Sequence, residues 1–270
     1  MSELLKLLKS GQKPVVGMVQ LSALPGGSRY RGATIDEVAA RALAEAAILA
    51  ENGVDALMVQ NLGDIPVDTK VKTVQATWMT RIAADIAQRF GKPVGLNMLE
   101  NDAEAMFAVA SAAGADFVRI KIYVGAMVTP FGVETSQAFA AIKARTEWQA
   151  DNVAILADVH DRTGVPLAPD SFEGDLDAAV RLGAADALVL TGKHYAQTLE
   201  FIATARRVVG AVPILVGGSV TSENVAEVNA VADGTIVSSS LKGSNTAFGQ
   251  FDPAKVKAFM AAARRTRSAA

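Results

Sequence analysis

The 270-residue chain contains no cysteine, which excludes disulfides, thiolate metal sites and cysteine nucleophiles. That absence suits a reducing compartment, and we expect a cytoplasmic location. Histidine is almost missing as well. His160 and His194 are too few for a multi-histidine metal centre. An excess of one charge is also lacking, since 26 Lys and Arg stand against 28 Asp and Glu. A net charge of −2 supplies no field to attract nucleic acid or an anionic membrane. The one basic run, "RRTRSAA" at 264–270, reads as a frayed helix end. No stretch approaches the roughly 18 uncharged apolar residues that spanning a bilayer requires. The opening "MSELLKLLKSGQKP" has neither the apolar core nor the small-residue cleavage site of a signal peptide. Its leucines alternate with lysines as in a short amphipathic helix. We therefore expect a helical extension over 1–13 and one domain over 14–270.

What the sequence does contain is a rhythm. Eight short apolar runs recur: "VVGMVQ" at 15–20, "DALMVQN" at 55–61, "PVGLNM" at 93–98, "DFVRIKI" at 116–122, "VAILADV" at 153–159, "DALVLT" at 186–191, "PILVGG" at 213–218 and "GTIVSSS" at 234–240. Their lengths suit strands. Alanine-rich segments with apolar spacing near 3.6 lie between them and suit helices. Thr34 before Glu37 and Asn101 before Glu104 carry the spacing of a capped helix start. Gly53, Gly91, Gly114, Gly183 and Gly210 fall where helices should end. Strands with so little polar alternation are buried on both faces, which implies a parallel sheet wrapped by helices. Eight strand and helix pairs in this length predict an α/β fold, a (β/α)₈ TIM barrel. A doubly wound open sheet is the competing arrangement.

Small residues crowd the last two turns. "GGSVTSEN" supplies Gly217, Gly218 and Ser219 after the seventh strand, and "SSSLKGSN" supplies Ser238 and Ser239 after the eighth, with Lys242 nearby. In barrels of this kind those loops often hold a phosphate through backbone N–H groups. The plain alternative is that the glycines permit tight turns and the serines act as caps.

The chemistry should lie at the same barrel face. In "FVRIKIY" a period of two puts Arg119 and Lys121 on one face, and in "ILADVH" it puts Asp158 and His160 together. A Lys121–Asp158 pair is the leading catalytic expectation, with the lysine as electrophile, anion clamp or imine-forming amine and His160 beside it as a further catalytic candidate for proton transfer. A structural ion pair is the alternative. Glu100 with Asp158 is a candidate acid/base pair. Gln20, Asn61, Asp64, Asn97, Arg119 and Lys193 are candidate substrate contacts, although Asn61 and Asp64 could equally build an Asx turn. No redox fingerprint is present and no cofactor or metal is expected; a metal would have to be held by carboxylate oxygens. Two loops are candidate lids or interfaces, "LSALPGGSRYRGA" and the apolar "YVGAMVTPFGVET". The apolar one favours a homo-oligomer contact.

The segments "GMVQLSALPG", "GVDALMVQNLGDIPVD", "PVGLNMLENDAEA", "GADFVRIKIYVGA", "ILADVH", "ADALVLTG" and "ADGTIVSSSLKG" follow in order the pattern of the BtpA family (BtpA/SgcQ). The chain resembles that family from about residue 14 to 260. The resemblance implies a TIM barrel; members are linked with photosystem I biogenesis, and others are named as nucleosidases or carbohydrate-pathway enzymes. Gln20 stands where the family commonly has histidine, Gln60 where it has glutamate and Glu100 where it has arginine. The combined expectation is an enzyme for a small phosphorylated or otherwise anionic sugar-derived metabolite, by lyase, isomerase or nucleosidase chemistry. A non-catalytic assembly factor of the photosystem type is the rival.

Overall fold

In a computed structural model, which describes residues 1–168 and 171–267, each of the eight apolar runs forms a strand. They are Val15–Gln20, Ala56–Gln60, Val94–Asn97, Phe117–Ile120, Ala154–Asp158, Ala187–Leu190, Ile214–Val216 and Gly234–Val237, and we refer to them as the first to eighth barrel strands. All pair in parallel with their sequence neighbours. The first also pairs with the eighth, Val16 opposite Ile236, so the sheet closes and the open-sheet alternative is excluded. Helices cover the outside, the longer α2 (Ile35–Glu51), α3 (Thr73–Phe90), α4 (Ala103–Ala113), α5 (Ala138–Glu147) and α7 (Tyr195–Val209) and the short α6 (Phe172–Asp177) and α8 (Val225–Val231) among them. The basic run ends helix α9 (Pro253–Arg267), and its last three residues lie outside the described ones.

Local signals explain the helix limits. Thr34 and Glu37 form the reciprocal capping box at the start of α2. At α4 the cap is Asp102, which accepts from the Ala105 N–H, and not Asn101. Asn101 instead accepts from the Lys121 and Ile122 amides, tying the third loop to the fourth. Gly91 and Gly114 end α3 and α4 in the left-handed conformation.

Strand alternation divides the apolar residues into two separate cores. Val15 and Val19 pack against the helices, whereas Val16 and Met18 join Met58, Phe117, Leu156, Val189, Leu215 and Ile236 inside the barrel. Helix α1 (Glu3–Lys9) completes the inner core with Leu4, Leu5 and Leu8, closing the N-terminal end like a plug. Asp116, immediately before the fourth strand, holds the plug by accepting from the Ser2 hydroxyl and the Glu3 and Leu4 amides. An aspartate also precedes the second, sixth and eighth strands. Asp55, Asp186 and Asp233 each accept from an amide at the start of the preceding odd strand, the first residue at Val15 and Ile214 and the second at Ile155.

The apolar segment after the fourth strand carries regular structure. Ala126–Thr129 and Gly132–Thr135 form an antiparallel hairpin, to which Val165–Pro166 adds a third short strand. Phe131, Val133 and Val165 on it are exposed. No helix among the described residues is long and apolar enough to cross a membrane.

Three charge-assisted bonds converge on Asp116, so Asp116→Ala should cost about 2–3 kcal/mol of stability. Urea denaturation measures it; an unchanged midpoint would mean that α1 does not depend on this anchor.

Candidate functional site at the barrel mouth

The interior turns polar at one level. Two residues beyond each inward apolar position, alternation brings Gln20, Gln60, Arg119, Asp158, Thr191, Gly217 and Ser238 to the C-terminal mouth, with Asn97 two beyond Gly95. Above them lies a cavity of about 380 Å³ lined by Gln20, Gln60, Arg119, Lys121, Asp161, Arg162, Thr191, residues 217–221 and residues 237–240.

Polar groups at that depth satisfy one another. Arg119 makes a two-pronged pair with Asp158, Nε to Oδ2 at 2.8 Å and Nη2 to Oδ1 at 2.7 Å. Burial alone would lower the Arg119 pKa, but the carboxylate beside it reverses this and holds the guanidinium charged. Burial in turn pushes the Asp158 carboxyl up, against the pull of Arg119. Gln20 Nε2 donates to Gln60 Oε1, Gln60 Nε2 to Asn97 Oδ1 and Asn97 Nδ2 to the Arg119 carbonyl, at 3.2, 2.6 and 2.9 Å. Ser238 Oγ and Lys242 Nζ both donate to Gln20 Oε1 at 2.8 Å. Lys242 is fully buried, and burial lowers its pKa while Glu45 opposes the shift.

The rim is glycine-rich for a spatial reason. A Cβ on Gly217 would stand 2.8 Å from Thr191 Oγ1 and 3.0 Å from Arg119 Nη2, and one on Gly218 would meet the Arg162 guanidinium at 3.0 Å. Ser219 adopts a positive φ of 61° and accepts from Arg162 Nη1 at 3.3 Å. Among the described residues no carboxylate lies within ion-pair distance of Arg162.

Several expected pairings are not formed. Asp158 pairs with Arg119, because Lys121 lies beyond the end of the fourth strand and turns to Asp161 at 3.2 Å and Thr163 Oγ1 at 3.3 Å. His160 leaves the alternation of the fifth strand, which ends at Asp158, by taking φ 55°. Its Nε2 meets Asp175 at 2.7 Å and its ring packs on Phe172. Lys121, Asp158 and His160 do border a smaller cavity of about 110 Å³ beneath the hairpin. Lys193 is exposed on the sixth loop and borders a recess with His160, Arg162 and Thr191.

Glu100, Asn61 and Asp64 stand together, away from Asp158. Asn61 Nδ2 donates to both Glu100 oxygens and to Asp64 Oδ2, and Gln75 Nε2 donates to both carboxylates. Asp64 Oδ1 accepts from the Leu24 amide, so this cluster fastens the first loop to the second and third. Residues of that first loop do not border the mouth cavity. Burial raises the Glu100 pKa, with Asp64 adding to it. Among the described residues no third His, Asp or Glu joins the pair as a metal-binding group.

The sequence reading missed Asp161, Arg162 and Thr191 and took Lys242 only as a neighbour. For Thr191 the available signal was its place two residues after Val189. Arg162 carried none, because it lies past the strand in an irregular loop.

Comparison with known proteins decides the family. The model of the BtpA family matches residues 11–265. The chain belongs to the BtpA family. The photosystem I biogenesis protein BtpA of Synechocystis is 33% identical over 92% of this chain and 87% of its own. The sgc region protein SgcQ of Escherichia coli is 30% identical over 95% and 96%. Among solved structures, tryptophan synthase of M. tuberculosis aligns over 98% of this chain and 100% of that one, with a TM-score of 0.65 at 17% identity. N-(5'-phosphoribosyl)anthranilate isomerase of Pyrococcus furiosus aligns over 94% and 99%, with a TM-score of 0.57 at 18% identity. Such likenesses establish a shared barrel.

Two outcomes test this geometry in the BtpA-family barrel. Arg119→Met, which strands a buried carboxylate, should cost about 3–5 kcal/mol, and adding Asp158→Leu should restore part of it. Chemical denaturation of both variants measures this, and a double variant no better than the single refutes the pairing. For Glu100 the folded pKa is raised above the unfolded value of about 4.3, so its stabilising contribution is full below that pH and is lost as pH rises through the folded pKa. Glu100→Gln should therefore unfold at a higher temperature than the wild type at pH 8, with the gap closing toward pH 4. Parallel melting curves at all pH values would contradict it.

Proposed function

We propose that the barrel mouth binds a small phosphorylated, sugar-derived metabolite and that the protein is an enzyme acting on it. One observation carries this reading. Arg162, without a carboxylate partner among the described residues, stands over Gly218 and Ser219 at the turn after the seventh strand, beside the eighth-strand serines. A guanidinium and small-residue backbone on one rim match the geometry and charge of a phosphate. The isomerase of the same barrel shape is named for a phosphoribosyl compound, which favours the same class of ligand. In this reading Gly217, Gly218, Ser219 and Ser239 cradle the phosphate under Arg162.

Lys121 is the group placed to act on the rest of the ligand. Half-enclosed and held by Asp161, it faces the cavity as an ammonium that can polarise a carbonyl. The Asp161 carboxylate then takes a proton from the carbon beside that carbonyl, the electron pair passing to the carbonyl oxygen as an enolate held by Lys121, and returns the proton to the neighbouring carbon in an isomerisation. Lyase or isomerase chemistry beside a carbonyl uses these two groups without further machinery. Asp158 supports from below by fixing Arg119.

A second reading rests on the exposed apolar hairpin. The Synechocystis relative is named a photosystem I biogenesis protein, and Val128, Phe131, Val133, Val165 and Leu167 offer a surface for a protein partner or a second copy.

Thermal shift and calorimetry against inorganic phosphate and a panel of sugar phosphates separate the two readings. The enzyme reading expects a phosphorylated compound to raise the melting temperature, and Arg162→Ala to weaken binding by about tenfold or more without altering stability. Indifference to every compound, together with a stoichiometric protein partner retained on the hairpin, would replace it with the second.

A further inference from the structure

The hydrogen-bonded row across the mouth has a direction, and its ends fix it. Lys242 Nζ has only hydrogens to offer and bonds Gln20 Oε1; the Arg119 carbonyl can only accept and bonds Asn97 Nδ2. Between them each carboxamide must turn its oxygen toward Lys242 and its nitrogen toward the fourth strand. Reversing any one amide would set oxygen against oxygen or N–H against N–H. Gln20 Oε1 is saturated by Lys242 and Ser238, while the nitrogens of Gln20 and Gln60 each keep a second hydrogen, and both side chains line the cavity. Arg119, beside them, spends Nε and one Nη2 hydrogen on Asp158 and also lines the cavity.

We propose that Gln20, Gln60 and Arg119 form a donor floor that receives a carbonyl or carboxylate oxygen of the ligand, with Lys242 as the residue that sets its polarity. The floor is formed by side chains of the first, second and fourth strands, whereas Arg162, Gly218 and Ser219 belong to the rim. A hydroxyl in that place would bring its own hydrogen to a surface already made of hydrogens. A carbonyl or carboxylate brings none and would accept from several N–H groups at once. This deepens the proposed function, on which it rests for the position of the ligand.

The test compares dihydroxyacetone phosphate, 2-phosphoglycolate, glycerol 3-phosphate, inorganic phosphate and pyruvate. Calorimetry gives affinities, and the ¹⁵N side-chain amide resonances of Gln20 and Gln60, assigned through Gln20→Met and Gln60→Met, report on the floor. The ketone and carboxylate phosphates should bind at least about tenfold tighter than glycerol 3-phosphate, a gap of about 1.4 kcal/mol. They should also shift both amides. Whichever of the two binds tighter identifies the carbonyl or the carboxylate as the natural group. Each Met variant should erase that preference while inorganic phosphate affinity stays within about twofold. If one variant fails to fold, the other variant and the wild-type resonances still decide. Equal or tighter binding of glycerol 3-phosphate overturns the floor, as does an unchanged preference in the variants. If inorganic phosphate binds and none of the acceptor ligands moves the glutamine amides, the floor falls alone. If pyruvate moves them and phosphate binds nowhere, the floor stands and the phosphate reading falls. Binding of none of the five removes both.

Discussion

The buried pair between Arg119 and Asp158 is the interaction on which the mouth of this barrel depends. Two charges out of water are tolerable only when each satisfies the other closely, and the two-pronged contact across adjacent strands does that. The same residue acts twice. Its guanidinium faces the cavity, while its backbone carbonyl terminates the row of amides that begins at Lys242. The fourth strand thus joins a charged sector to a neutral one. Disturbing it would loosen the orientation of groups as distant in the ring as Gln20.

Charge at the rim combines pairs that cancel with a guanidinium that stands apart from them. Arg119 is matched by Asp158 and Lys121 by Asp161, whereas Arg162 has no carboxylate partner among the described residues and in the proposed reading supplies the attraction for an anion. Because that residue is exposed, its field is partly screened, and in the proposed reading the small backbone of Gly218 and Ser219 beside it supplies the close contacts. The Asp64–Glu100 cluster belongs to a different task. Surrounded by carboxamide donors and the Leu24 amide, it braces the loops on the far side of the mouth.

Much of the fold was legible because barrels repeat one pattern eight times. Each strand was visible as a short apolar run, and their number and spacing favoured a closed barrel over the open sheet, a choice that the pairing of the first strand with the eighth decided. Inward-facing Arg119 and Asp158 were equally legible, since a period of two fixes direction while a strand lasts. Where strands end, that rule ends too. His160 turned aside through a positive φ and Lys121 reached over the rim to Asp161, so the Lys121–Asp158 partnership read from parity was lost. Distances across the mouth were the other blind spot. Glu100 and Asp158 both close strand ends or begin loops, yet the carboxamides of Asn61 and Gln75 claim Glu100 for a separate cluster. The alternate aspartates before the even strands were present in the letters, but only the structure shows that they clamp neighbouring amides.

The leucine plug of α1 has a consequence for traffic. With Leu4, Leu5 and Leu8 filling the far end, the barrel is a cul-de-sac and not a corridor. On the proposed reading, a ligand taken up at the mouth would have to depart by the door it entered, so one must go before another can follow.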